Sequence, residues 1–421
     1  MDNRKTQSEA HWFSVVQFLV SSIGAVMLLG STLIFMIIVV TTGISDVPYI
    51  DTTTTLLLAT GTFFAGVLLL PSGWYSALHL IGKPKKVGSA NPWFLPAILL
   101  FPLAVALGEW IIKSSDAPWI LLPPIHIMAV GIPILWFLEL GRYKLPQFSS
   151  QRTWGIFGSG LVLAPLLLMI LELAALGLIM GAIVIYVIQR PDMSAELERL
   201  IYRLSVAPQS PDIIARILLP ALKNRVVILG TLIFGAIIVP LLEELIKPIG
   251  VWMLVGQKPT PSQGFVAGLL SGAGYAMFEN LALSASAGDA WSMIMLARTG
   301  TSLIHIMTTG LMGWSLALAW NQGKHLRLVL TYLGVVLIHG LWNGLVLTFT
   351  FASYSFIGGS FPEPIMKVGK VAPYLLVGLV SVAFILLIVE NLNLRRAIIS
   401  PASVDTQSNH ISPTNKRSIL N

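Results

Sequence analysis

The amino-acid sequence predicts an all-α fold, a polytopic transmembrane helix bundle of about ten spans. Three observations carry that expectation. Mean hydropathy is +0.81. Hydrophobic residues make up 55% of the 421 positions and charged residues only 11%, whereas a soluble domain carries about a quarter of its residues charged. Long apolar runs, among them Phe18 to Val40, Pro92 to Ile112 and Tyr374 to Val389, approach or exceed the roughly 20 residues that cross a hydrocarbon core. A helix satisfies its backbone hydrogen bonds within its own segment, so it is the default element in lipid.

Taken in order, hydropathy predicts spans at 16–41, 55–80, 93–112, 119–140, 154–188, 226–256, 264–286, 292–320, 328–350 and 372–391. The first is too long for a cleavable signal peptide and is expected to stay as an anchor helix. Lys and Arg fall in short loops and tails, such as Lys83, Lys85 and Lys86. This is the positive-inside pattern, so the net charge of +7 points to the lipid bilayer as partner and not to nucleic acid. Arg4 and Lys5 before the first span, with Arg395 and Arg396 after the last, predict a multi-pass protein of the cell membrane with both termini cytoplasmic.

One segment resists this count. Residues 189–225 carry Arg190, Arg199, Arg203, Arg216, Lys223 and Arg225, yet ten crossings place them outside. A hairpin of two short helices within 154–188, which contains Pro165 and Glu172, would restore the parity together with an irregularity in 226–256. Inside 189–225, Asp192 or Ser194 is placed to cap a helix with Glu196 and Glu198 in its first turns. Ile213, Ile214, Ile217, Leu218 and Leu222 then repeat with helical period, so interfacial helices are expected. The chain divides into an N-terminal membrane region (1–190), an amphipathic interfacial linker (191–225), a four-span core (226–350), a loop with the final span (351–397) and a tail (398–421). The tail's Ser, Asn, Pro and Thr predict disorder.

The chain contains no cysteine, which excludes disulfides, thiolate metal sites and cysteine nucleophiles. An ionisable group at mid-membrane costs at least roughly 2.5–3.5 kcal/mol on insertion scales, and such groups mark functional sites. They concentrate in the second half. Glu243 and Glu244 precede Lys247 by four and three residues, so the lysine can pair with either acid. Two adjacent carboxylates that cannot both ionise cheaply suit a general base for water. A helix end in headgroup water is the competing reading of the same residues. The next span offers Glu279, which can bind a metal, orient a base or hydrogen-bond across the bundle, and Gly268, Gly272 and Gly274 there admit a close neighbour. The third offers His305 with Thr309 one turn on, and the fourth His339 with Asn343 on one face. Imidazoles are common zinc ligands, and a His with an Asn amide can instead stabilise an oxyanion. His79, Glu109, His126, Glu139 and Glu172 lie singly in the first half and are expected to be structural. Arg298 is expected to pair with lipid phosphate or with Glu279.

Together these four motifs resemble the PrsW family of intramembrane peptidases, relatives of the Abi proteins and the CAAX prenyl endopeptidases, over about 226–350. Glu243-Glu244-x-x-Lys247, Phe278-Glu279-Asn280, His305 with Thr308-Thr309-Gly310, and His339-x-x-x-Asn343 follow the family's motifs in order on successive spans. The chain departs from the pattern at Leu283, where the family usually has an aromatic hydroxyl four residues after the acid. The resemblance implies hydrolysis of a peptide bond in or near a transmembrane segment of a membrane protein substrate. One of Glu243 and Glu244, helped by His305 and Glu279, would activate water, and His339 and Asn343 would stabilise the oxyanion. Where a metal takes part, zinc held by Glu244, His305 and His339 is the natural choice. The alternative is a non-enzymatic membrane protein, an ion-coupled transporter or an immunity-type binding scaffold. A line of polar groups through the bilayer would favour transport, and convergence in one cluster would favour hydrolysis.

Overall fold

A computed structural model describes residues 2–45, 51–83, 92–114, 118–207, 211–353 and 361–399. Among the described residues there is no strand. Twelve helices follow one another: α1 Asp2–Ser45, α2 Thr52–Leu80, α3 Leu100–Ser114, α4 Pro118–Gly141, α5 Ser150–Ile188, α6 Pro191–Val206, α7 Pro211–Leu222, α8 Arg225–Trp252, α9 Pro261–Leu283, α10 Trp291–Gln322, α11 His325–Ser353 and α12 Glu363–Ile399. Nine of them are long and apolar enough to cross a membrane, all but α6, α7 and α9, with α3 reaching that length through the 3-10 turns Pro92–Leu99 that lead into it. The fold is thus an all-α polytopic bundle. The predicted tail from residue 400, like Lys85 and Lys86, lies outside the described residues.

The span predicted at 264–286 is α9, and its failure to reach the hydropathy of the other nine has a physical reason. Seventeen of its 23 residues are buried, so protein, not lipid, surrounds it. Gly and Ser replace the aliphatic side chains that a lipid-facing helix needs. A Cβ at Gly272 would meet the His305 carbonyl oxygen at 2.7 Å, and Gly264 and Gly268 abut the α10 backbone at Gly313 and Thr309. On the other side Gly274 meets the Phe157 carbonyl of α5, and Gly160 of α5 meets the Ser271 carbonyl. Backbones packed this closely are how helices associate where lipid removes the hydrophobic drive. The start of α9 is fixed by a capping box, with the Gln263 amide at 3.3 Å from Thr260 Oγ1, the Thr260 amide at 2.9 Å from Gln263 Oε1, and Pro261 at the first helical position.

The single span expected at 154–188 is formed, and the hairpin weighed against it is not. Helix α5 runs straight through, with a π turn at Ser159–Leu163 just ahead of Pro165. Helix α8 repeats the device, a π turn at Phe234–Ile238 just ahead of Pro240. Proline lacks an amide hydrogen and clashes with the carbonyl four residues back. Each π turn opens the ladder at that point, so the helix passes its proline without ending. The two amphipathic helices expected after it are present as α6 and α7. Neither Asp192 nor Ser194 caps α6, however. Arg190 occupies the N-cap with Pro191 next to it, and the Ser194 hydroxyl bonds the Pro191 carbonyl at 3.0 Å.

The N-terminal helices pack onto this core through polar contacts as well as apolar ones. Gln17 of α1 donates to Ser72 Oγ of α2 at 3.1 Å and to the Gln151 carbonyl of α5 at 3.0 Å. His126 of α4, fully buried, accepts from the Trp291 indole of α10 at 3.0 Å. Glu109 pairs with Lys113 at 2.5 Å and Glu139 with Arg142. These residues hold structural contacts, as expected of them.

Candidate functional site

The second half of α8 delivers the acids. Glu243, Glu244 and Lys247 occupy the final turn before Pro248, where the helix breaks and restarts at Ile249. The break leaves the Lys247 carbonyl without a helical partner, and Ser271 of α9 donates to it at 2.6 Å. The Gly250 amide in turn donates to Ser271 Oγ at 3.3 Å. One buried hydroxyl therefore bridges the two halves of α8 and ties the acidic turn to α9. Tyr332 of α11 donates to the Leu241 carbonyl at 2.8 Å and fixes the same turn from the other side.

Around Lys247 the four motifs converge. Its ammonium, fully buried, lies 2.5 Å from Glu244 Oε1, 2.9 Å from His305 Nδ1, and 3.5 Å from both His339 Nδ1 and Glu243 Oε2. Glu244 Oε1 also receives Thr308 Oγ1 at 3.2 Å and His339 Nδ1 at 2.9 Å. His305 Nε2 stands 2.6 Å from Glu279 Oε2, and the other oxygen of Glu279 meets Arg298 at 3.1 Å. Arg298 therefore pairs with Glu279. The His305 and His339 rings meet edge to face, 5.1 Å apart, and Tyr275 meets His305 in the same way at 5.1 Å. The acids, histidines and lysine form one compact cluster and not a line across the bilayer.

A carboxylate can only accept, so each contact fixes a ring nitrogen. Glu279 makes His305 Nε2 the donor and leaves Nδ1 to accept from Lys247. Glu244 makes His339 Nδ1 the donor and leaves Nε2, 3.9 Å from Glu243 Oε2, as a lone pair. These bonds fix the two imidazoles in the manner of outer-shell partners at metal sites.

Sequence position alone put Glu244 forward as the metal carboxylate. The geometry offers Glu243 instead. Ligating atoms of Glu243, His305 and His339 all lie within 4.8 Å of one another and all three residues are buried. Glu244 Oε1 is taken by lysine, histidine and threonine, while Glu243 Oε2 is buried with no hydrogen-bond partner among the described residues. A buried carboxylate oxygen without a hydrogen bond, beside the free Nε2 of His339, fits a divalent cation, and His305 Nδ1 can join as a third ligand once Lys247 gives it up.

Asn343 stands apart from the cluster. Its amide donates to the Gly235 carbonyl at 3.0 Å, inside the π turn of α8, and next to it Gly340 abuts the Ala236 carbonyl. A π turn frees a carbonyl that must be satisfied at membrane depth. Asn343 satisfies it, so the oxyanion role expected of Asn343 has no support in its position. Thr309, expected to share the His305 face, is buried with its hydroxyl unpartnered, and its neighbour Thr308 makes the contact to Glu244. Leu283 is 58% exposed and turned away from the cluster.

Tyr275 and Glu172 lie near this site without having been singled out for it in the sequence. Tyr275 lies one turn before Glu279 on the same face of α9, and that four-residue spacing was the available signal. Glu172, expected to be structural, sits within the long α5, flanked by apolar side chains.

No curated protein and no solved structure matches the chain. Residues 153–359, just under half of the chain and extending past both ends of the predicted core, match the model of the PrsW family intramembrane metalloproteases. With nine candidate membrane-spanning helices, that match supports an intramembrane peptidase.

Proposed function

We propose that the protein is a multi-pass endopeptidase of the cell membrane, with both termini cytoplasmic, that hydrolyses a peptide bond of a membrane protein substrate within or near the bilayer. The observation that carries this reading is the convergence of Glu243, His305 and His339 within 4.8 Å, buried and beside the Lys247 ammonium. Convergence of base, imidazoles and cation suits attack of water on a carbonyl. A transporter would need its polar groups spread along a path.

Glu243 is the general base in this mechanism. Its free oxygen takes a proton from water while the lone pair of His339 Nε2 orients the same water, and the carboxylic acid so formed returns that proton to the departing amine as the C–N bond breaks. Glu244 has a different task. It neutralises Lys247, holds the His339 tautomer and takes no part in proton transfer. The developing oxyanion is stabilised by the Lys247 ammonium, the cation of the inner cluster. Glu279 and Arg298 keep His305 in register. Zinc, when held by Glu243, His305 and His339, supplies a Lewis acid and an acidified water.

The test is cleavage in membranes. Proteomic comparison of cells with and without the protein identifies candidate substrates, and the variants E243Q, H305A and H339A are then assayed on them. Loss of cleavage in each, with normal protein levels, is expected. Cleavage at the wild-type rate by all three would overturn the proposal.

A further inference from the structure

Glu172 is the one carboxylate near the site that the mechanism leaves unused. Ala164, Leu168 and Glu172 are spaced four apart and share a face of α5. Ala164 and Leu168 are buried against Tyr275, with Leu242, Ile246 and Ile249 packed around them. Glu172 continues that stripe, partly buried, and the charges of Glu243, Glu279 and Lys247 act on it. Among the described residues its carboxylate has no hydrogen bond or ion pair. Its neighbours Leu171 and Leu173 are 38% and 61% exposed. Beyond Glu172 helix α5 leaves the bundle, for no residue from 173 to 186 is buried. In Arg225–Ile233, the first turns of α8, only Ile228 is buried.

A carboxylate at membrane depth without a partner is costly unless water reaches it. Water there must in turn find two to four polar partners. The Oε2 atom of Glu243, whose charge acts on Glu172, is buried without a hydrogen-bond partner among the described residues and is one acceptor for such a water. We propose that Glu172 is a positioning residue at a lateral water entrance between α5 and α8, and that the water consumed in hydrolysis reaches Glu243 past it. The consequence for catalysis rests on the hydrolytic reading, but the existence of the entrance does not.

The natural absence of cysteine makes the test clean. The variants E172C and L173C each carry a single thiol and are reconstituted as full chains in lipid nanodiscs. Each is then exposed to a charged, water-soluble methanethiosulfonate. The thiolate is the reacting form and arises where water reaches the sulfur. E172C is expected to react at least about tenfold faster than L173C, a ratio equivalent to about 1.4 kcal/mol. Both should react equally after unfolding in detergent. Equal rates in nanodiscs would overturn the proposal.

The second arm measures cleavage of a substrate found as above. E172Q, which can still hold water, should stay within about threefold of wild type. E172L should lower kcat about tenfold with little change in KM, the size of effect expected when an ordered water is lost. Wild-type kcat in E172L would overturn the positioning role. Failure of the hydrolytic reading looks different, with undiminished cleavage by E243Q and H305A and an unchanged labelling ratio.

Discussion

Lys247→Met tests the centre of the cluster most directly. The lysine is fully buried and its ammonium reaches Glu244, His305, His339 and Glu243 at 2.5 to 3.5 Å. Methionine fills a similar volume, so the packing loss is small and the electrostatic loss dominates. Removing one partner of a buried ion pair costs roughly 3–5 kcal/mol, because the other charge is left uncompensated. Glu244 keeps Thr308 and His339 as donors, which argues for the low end, about 3 kcal/mol. In a chain of this size each kcal/mol moves the midpoint by about 2 °C or less, so a fall of about 3–6 °C is expected in thermal unfolding followed by tryptophan fluorescence. The double variant E244Q/K247M removes both charges and should recover at least about half of that loss. A K247M midpoint within about 1 °C of wild type, or a double variant no more stable than K247M, would refute the assignment of Lys247 as the counter-ion of Glu244.

Three further outcomes follow from the same geometry. Zinc content measured by mass spectrometry should fall about tenfold or more in E243Q, H305A and H339A but persist in E244Q; loss in E244Q alone would restore Glu244 as the ligand. N343A should cost about 0.6–1.7 kcal/mol of stability through the orphaned Gly235 carbonyl. An oxyanion role would instead lower kcat by about 10² to 10³ with stability unchanged. G272A places a Cβ at 2.7 Å from the His305 carbonyl and should destabilise by about 1–3 kcal/mol, whereas G177A, whose Cβ meets nothing within 4 Å, should unfold at or slightly above the wild-type temperature.

Much of this architecture was legible because lipid leaves few choices. Hydropathy found ten helices, α9 among them, although α9 is not among the nine candidate spans of the structure. The four polar motifs were legible for the same reason, since an acid or histidine amid leucines has to be explained by something. What sequence could not give was direction. Glu243 and Glu244 are adjacent on a helix and differ in orientation by about 100°, and only packing decides which one Lys247 captures. Asn343 shares a helix face with His339, yet one turn along the axis separates a residue of the cluster from a clamp on a π turn. The π turns themselves carry no simple sequence signature beyond the proline after each. Glu172 stands alone in its stretch of sequence, and only packing shows that it extends the stripe of Ala164 and Leu168 that is buried against Tyr275.

Formal charge gives the cluster its chemical bias. Glu243, Glu244 and Glu279 set three carboxylates against the two permanent cations Lys247 and Arg298, and Glu172 adds a fourth acid within range of their field. An unbalanced negative charge in a low-dielectric interior is neutralised by taking up either a proton or a cation. Each outcome suits hydrolysis, the first by furnishing a carboxylic acid beside a carboxylate base and the second by furnishing a Lewis acid. The two differ in one observable. If the excess charge is balanced by a metal, E243Q lowers metal content and cleavage together. If it is balanced by a proton, the wild-type protein cleaves after exhaustive chelation, and E243Q abolishes cleavage without changing the metal content. Glu243 decides both cases, because it is the inner acid that groups with His305 and His339 within 4.8 Å and whose Oε2, with Lys247 no nearer than 3.5 Å, makes no hydrogen bond among the described residues.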